Sequence, residues 1–195
     1  LFKVADGIWQ VRGFDVSTVT FVDAGAGWII LDPLTCTEVA KAALDLVTGH
    51  LGEKPVLAVI HSHSHMDHYG GVAGIVSRED VAAGKVRIIA PQGFLEHAVS
   101  ENIIAGPAMG RRAVFQFGYT LPRGPAGEMT SGLGPGISKG TMSMLAPTDV
   151  IAKTGQEITI GNTRMVFQLT PGTEAPAEMN VYFPDRRALF MAENA

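Results

Sequence analysis

The sequence predicts an α/β domain with a predominantly parallel arrangement of strands and helices outside it. Three observations carry this reading. Short β-branched and aromatic runs punctuated by glycine open the chain, strand and helix patterns alternate across residues 28–90, and strand patterning returns after residue 151.

Residues 4–11, 18–22 and 28–31 are separated by Gly7, Gly13, Gly25 and Gly27, as strands joined by hairpins would be. Residues 37–50 then place Val39, Ala42, Ala43, Leu46 and Val47 at helical spacing, with Thr37 as the cap and Gly49 near the end. Pro55 starts the next strand, whose apolar run Val56-Leu57-Ala58-Val59-Ile60 fits burial on both faces. A helix over roughly 71–77, a strand over 86–90 and a helix over 92–104 extend the βαβ pattern. The later strands are expected at 157–160, 163–169, 181–183 and 188–191, with Gly161-Asn162 and Asp185-Arg186 at turns.

The chemistry is concentrated in residues 61–71, HSHSHMDHYGG. His63, His65, Asp67 and His68 put four potential metal ligands at the end of a buried strand, at the carboxyl edge where open α/β sheets place their ligands. Imidazole and carboxylate suit borderline divalent ions, and a cluster without cysteine argues against a closed structural zinc site. The cluster is therefore read as an open hydrolytic site, and a loop this tight can serve two ions. A surface loop that binds metal adventitiously is the bland alternative. His50 and His97, on helical segments, are read as ordinary surface or core histidines, and His61 as a shoulder to the loop.

Composition narrows the partners. A net charge of −4 gives no basic field for nucleic acid, and no apolar run reaches the ~18 residues of a membrane span. The single cysteine, Cys36, cannot form an intrachain disulfide and is read as a small buried hydrophobe. Residues 105–148 are rich in glycine and proline yet carry Tyr119, Met129, Leu133, Met142 and Met144. That is too long for a simple connector and too apolar for a disordered linker, so it is read as an ordered excursion over the active-site mouth or into an oligomer interface. The methionines and Leu133 are candidates for a greasy substrate channel. The cations Arg111, Arg112, Arg123 and Lys139 are read as solvated surface charge, with one of them a candidate for an anionic substrate.

The motif His63-Ser-His65-Met-Asp67-His68 resembles the HxHxDH signature of the metallo-β-lactamase superfamily. That resemblance implies an αββα sandwich carrying one or two metals at its edge, with Asp32 beneath them orienting a metal-bound histidine. Many members have TPGH where this chain reads Thr170-Pro171-Gly172-Thr173-Glu174, and a strand ending in a bridging aspartate where it reads Met191-Ala192-Glu193-Asn194. With both glutamates, the chain resembles the alkylsulfatases of the superfamily, dizinc enzymes that hydrolyse alkyl sulfate esters to alcohol and inorganic sulfate with a metal-activated water.

By that resemblance His63, His65 and Glu174 hold one zinc, Asp67 and His68 the other, and Glu193 is shared; Asp67 is also the candidate catalytic residue. Glu178 is left as a solvated or cap carboxylate. The alternatives are another hydrolase of the superfamily (lactamase, thioesterase or phosphodiesterase) or a non-catalytic metal-binding fragment. The family pattern implies a small-molecule substrate, a homodimer and a periplasmic or secreted location. It also implies that residues 1–195 are part of a longer catalytic domain, lacking a last histidine ligand and unstable as an isolated monomer. The substrate-binding residues are unknown.

Overall fold

The structure, a computed structural model, describes residues 1–132 and 134–194. Leu133 of the expected channel and the terminal Ala195 lie outside them. Two sheets stack face to face. The larger has strands β1 (Phe2–Ala5), β2 (Ile8–Val11), β3 (Val19–Asp23), β4 (Trp28–Leu31), β5 (Val56–Ile60), β6 (Arg87–Pro91) and β7 (Asp149–Ile151) in sequential order. The smaller is ordered β11-β10-β9-β8, from β8 (Glu157–Ile160), β9 (Thr163–Leu169), β10 (Met179–Phe183) and β11 (Ala188–Phe190).

Among the described strands only β4 to β7 pair in parallel; β1 to β4 and the second sheet are antiparallel. The expected predominance of parallel strands is therefore corrected to a mixed sheet beside an antiparallel one. Short glycine turns join antiparallel neighbours, whereas parallel pairing needs a crossover, and only the segments after β4, β5 and β6 are long enough.

Alternation along β4 divides the core. Trp28 and Ile30 face a helical layer that includes Ala40, Ala43 and Val47 of α1 (Thr37–Leu51), while Ile29 and Leu31 face Met165, Phe167, Met179 and Val181 of the second sheet. Both faces are covered, so all four residues are buried, as the unbroken apolar runs of β4 and β5 anticipate. Among the described residues no helical side chain belongs to the cluster between the sheets, and Tyr182 and Leu189 are exposed on the second sheet. The described residues thus form three layers, α, β and β, of an αββα sandwich.

Two helical expectations shift. The helix expected near 71–77 is a 3₁₀ turn, Val72–Gly74, followed by α2 (Arg78–Ala82), whose N-cap Ser77 accepts a hydrogen bond from Asp80 N. The reason is close approach. A Cβ at Gly70, Gly71 or Gly74 would lie 2.2, 2.1 and 2.1 Å from the carbonyl oxygens of Thr35, Pro33 and Thr37. Only residues without side chains let this turn lie against the start of α1. The helix expected over 92–104 is α3 (Phe94–Val99) running into a π-helical turn, Ser100–Ile104.

The excursion also has more structure than its glycines suggest. It begins with α4 (Gly106–Gln116), where Pro107 sits in the first turn and gives up no needed donor. Its far end is stapled down. Ser138 N and Oγ donate to the buried Asp15 carboxylate, Thr141 to Glu38, and Ser143 N to Gly70 O at 2.7 Å. Met144 packs against Tyr69, Ala90, Phe94 and Ala98, whereas Met129 and Met142 are exposed. Arg111, Arg112 and Lys139 are exposed, as is Arg123, 3.8 Å from Glu128. Cys36 is buried and free.

Candidate metal centre

Register brings the site together. Leu31 pairs with Ile60 and Ile60 with Ile89, so Asp32, the 61–68 loop and the end of β6 emerge at one sheet edge. In the second sheet the end of β9, the start of β10 and the end of β11 meet at one edge, which places Glu174 and Glu193 side by side. The edges are joined by Met179 N donating to Ser62 O at 2.9 Å and by a β-bridge between His63 and Glu178.

The donor atoms of His63, His65, Glu174 and Glu193 lie within 4.8 Å of one another, and so do those of Asp67, His68 and Glu193. His63 Nε2 is 3.4 Å from Glu174 Oε2 and 3.8 Å from Glu193 Oε2; His68 Nε2 is 3.3 Å from Asp67 Oδ2 and 3.7 Å from Glu193 Oε1. These separations exceed a hydrogen bond and cluster around ~3.4 Å, the edge of a tetrahedron whose centre is ~2.1 Å from each corner. Glu193 turns one oxygen to each histidine. His63 Nε2 and His68 Nε2 are buried without a hydrogen-bond partner, a costly arrangement for an imidazole unless another ligand takes the lone pair. The donor set therefore fits a divalent metal ion.

Asp32, 1% exposed, organises two of the histidines. Its Oδ1 accepts from Ser62 N at 2.8 Å, and its Oδ2 accepts from Ser62 Oγ at 2.6 Å and from His68 Nδ1 at 2.8 Å. Because the Ser62 hydroxyl spends its proton on Asp32, its oxygen is left to accept from His63 Nδ1 at 2.9 Å. Both rings then carry hydrogen on Nδ1, which turns both Nε2 atoms toward the site, where a metal ion would take the place of any proton on them. Asp32 adopts φ +55°, in the left-handed region that aspartate tolerates better than most residues.

The electrostatics of these side chains point the same way. Burial works against a charged His68, but the Asp32 carboxylate bonded to it, with the carboxylates of Asp67 and Glu193 nearby, holds its pKa well above the ordinary value. Burial likewise opposes ionisation of Asp67, yet His68 brings it down to about 2. The pocket is built to hold positive charge. His61 is the opposite case. It is fully buried, stacked on Phe94 at 5.1 Å, and burial lowers its pKa to about 4, so the expected shoulder residue is a neutral part of the core.

Glu178 is corrected outright. It is 1% exposed, and its Oε2 accepts from Thr173 Oγ1, Glu174 N and Ala175 N, each at 2.9 Å. It ties the loop that presents Glu174 through two backbone N–H groups, and shares the Thr173 hydroxyl with Thr170 O at 2.7 Å. Ser62, Glu178 and Glu101 are not marked as site residues by the sequence pattern. None of the three carries a local signal in the sequence.

The profile of the Metallo-beta-lactamase superfamily matches residues 12–192. A linear primary-alkylsulfatase of Pseudomonas sp. is 51% identical over 195 residues, which cover all of this chain and 29% of that protein. Alkyl/aryl-sulfatase BDS1 of Saccharomyces cerevisiae is 48% identical over 194 residues, covering all of this chain and 30% of that protein. The chain thus spans less than a third of the length of these relatives. The structure of the inverting sec-alkylsulfatase Pisa1 from Pseudomonas sp. superposes with a TM-score of 0.90 at 45% identity, over 94% of this chain and 29% of that one. BJP-1, a subclass B3 metallo-beta-lactamase of Bradyrhizobium japonicum, shares the fold at a TM-score of 0.56 and 18% identity, over 93% of this chain and 55% of that one. Two stacked sheets, a histidine-rich loop at their common edge and a profile match over nearly the whole chain agree: the chain belongs to the metallo-beta-lactamase superfamily.

Proposed function

We propose that the complete protein hydrolyses alkyl sulfate esters to an alcohol and inorganic sulfate at a centre of two divalent ions, zinc by the chemistry of the donors. The observation that carries the substrate class is identity of 51% and 48%, over the whole of this chain, to proteins named for alkyl sulfate hydrolysis. His63, His65 and Glu174 would hold one ion, Asp67 and His68 the other, and Glu193 would be shared, in keeping with its two oxygens facing different histidines. When bound, such ions supply Lewis acidity and a water of lowered pKa.

The chain's own residues do the rest. Asp32 and Ser62 fix the tautomers of His63 and His68, and Glu178 holds the backbone from which Glu174 projects. As a carboxylate committed to an ion beside His68, 3.3 Å away, Asp67 would orient that ion rather than take up a proton. In the ester, sulfur is shielded by anionic oxygens while the carbon is not. Water oxygen bonds to that carbon, the ester C–O bond breaks, and sulfate leaves with the bonding pair, giving alcohol and hydrogensulfate.

Dodecyl sulfate hydrolysed by the complete protein in ¹⁸O-water tests this. Label is expected in the alcohol. Label in sulfate would overturn C–O cleavage, and no turnover of any alkyl sulfate by metal-loaded protein would overturn the substrate class. Anomalous scattering at the zinc edge should give two peaks about 3.5–4 Å apart; a single peak would remove the shared role of Glu193.

A further inference from the structure

His63 and His68 each have an acceptor behind them that turns the other ring nitrogen into the site. His65 is arranged differently. Its Nδ1 faces the ligand cluster at hydrogen-bond distance, 2.8 Å from Glu174 Oε2, a pairing that a metal ion held by both residues would replace, so its far nitrogen is Nε2. That atom lies 3.4 Å from Glu101 Oε1. The two side chains are 23% and 26% exposed, partly shielded from water.

Glu101 lies in the turn where α3 stops being an α-helix. The turn Ser100–Ile104 is π-helical, closed by Ala105 N donating to Ser100 O at 2.9 Å, and one extra residue in the turn rotates the succeeding residues about the axis. Asn102, the next residue, anchors the turn to the metal loop. Its Nδ2 donates to Ser64 O at 3.3 Å, between His63 and His65, and to Ala98 O at 3.0 Å on its own helix. Single π turns inside α-helices are rare and are frequent at functional sites.

We infer that Glu101 is a positioning residue for His65, the acceptor for its Nε2 hydrogen that leaves the Nδ1 lone pair free for a metal ion, and that the π turn at Ser100–Ile104 exists to deliver it. This rests on the proposed assignment of His65 as a metal ligand. Three histidines then have three separate acceptors: Ser62 for His63, Asp32 for His68 and Glu101 for His65. The His65–Glu101 contact is longer than a formed N–H···O bond, and it is expected to tighten once Nδ1 is engaged.

The test is Zn²⁺ affinity of the complete protein by competition with a chromophoric chelator, with Co²⁺ absorption as the readout of ligand geometry. Glu101→Ala is expected to weaken one of the two ions by about 10–100-fold and to alter the Co²⁺ spectrum. Glu101→Gln keeps an acceptor without the charge and should recover most of the affinity. Unfolding of the ion-free variants should match wild type, since Glu101 is partly exposed and makes no other polar contact to the loop. Unchanged affinity and spectrum in Glu101→Ala would overturn the inference while leaving the ligand assignment standing. Equal loss in Glu101→Ala and Glu101→Gln would overturn it too, by showing charge rather than an acceptor to be what matters. A wild-type protein that binds no Zn²⁺ would remove the ligand assignment and the inference together.

Discussion

Replacing Asp32 by Asn should separate folding from metal binding. Asparagine tolerates φ +55° as aspartate does, so the backbone is not the variable, as it would be with alanine. The amide oxygen can still accept from Ser62 N. The amide NH₂ must then take the place of Oδ2, where it meets two groups that were donating, Ser62 Oγ at 2.6 Å and His68 Nδ1 at 2.8 Å. Two charge-assisted bonds in a buried site, each worth about 1.5–3 kcal/mol and not additive, give a stability loss of about 2–5 kcal/mol. His68 can accept from the amide only by moving its hydrogen to Nε2, which blocks the lone pair. Ser62 is freed to donate to His63, with the same effect on that ring. Zn²⁺ affinity should therefore fall by at least 10–100-fold at the His68 position, about 1.4–2.7 kcal/mol. Urea unfolding of ion-free protein reads the first quantity and chelator competition the second. Wild-type Zn²⁺ affinity in Asp32→Asn, with the urea midpoint lowered, would refute the tautomer argument; an unchanged midpoint would refute the hydrogen-bond argument.

Glu178→Ala should lower stability by about 2–5 kcal/mol, because Ala175 N is buried and cannot rehydrate while Thr173 and Glu174 are exposed and can; in metal-loaded protein the same change should also weaken the ion held by Glu174. A melt within about 0.5 kcal/mol of wild type would contradict this. Asp149 is paired with Arg87 across β6 and β7 at 2.5 Å, and that bond holds its pKa below the ordinary carboxylate value. A depressed folded pKa gives stability that is present above the unfolded value of about 3.9 and is lost as pH falls through the folded one. Asp149→Asn should thus cost up to about 1 kcal/mol at pH 7, the pair being partly exposed, and the gap should close in acid; a gap that widens toward low pH would show the sign to be wrong.

The strand frame and metal loop are legible in the sequence because their signals are local. β4 and β5 read as unbroken apolar runs, and four ligand-type residues fall within six positions of residues 63–68. Asp32, Glu174 and Glu193 are legible through family resemblance, since nothing in their own neighbourhoods distinguishes them from turn residues. Glu178 misleads because an isolated glutamate in a glycine-proline loop is ordinarily solvated, and the three donors that bury it become visible only when the loop closes. Glu101 has no signal at all. It depends on a π turn, which has no hydropathy period to detect, and on contact across 36 residues of sequence. The excursion hides its structure for a related reason: Gly106 and Gly110 obscure the helical character of 106–116, which is set by Pro107 at its start and by its junction with the π turn.

The seam formed by Gly70, Gly71 and Gly74 against the carbonyls of Pro33, Thr35 and Thr37 makes the two halves of the centre unequal in their freedom to change. Any side chain on the seam would have to displace a backbone carbonyl. Asp32 and His68 sit immediately beside it, so their separation is fixed by main chain pressed on main chain. The loop carrying Glu174 and the segment carrying Glu193 are held instead by side-chain hydrogen bonds, through Glu178 and Asn194. Gly172 has open space around it, and Glu193 is 45% exposed. Substitution of one ligand type for another is therefore geometrically cheap on the second sheet and prohibitive on the first. That is the pattern this chain displays: the histidine loop keeps its family spacing, and both departures from it are glutamates at 174 and 193. Variation aimed at new chemistry belongs in those two segments.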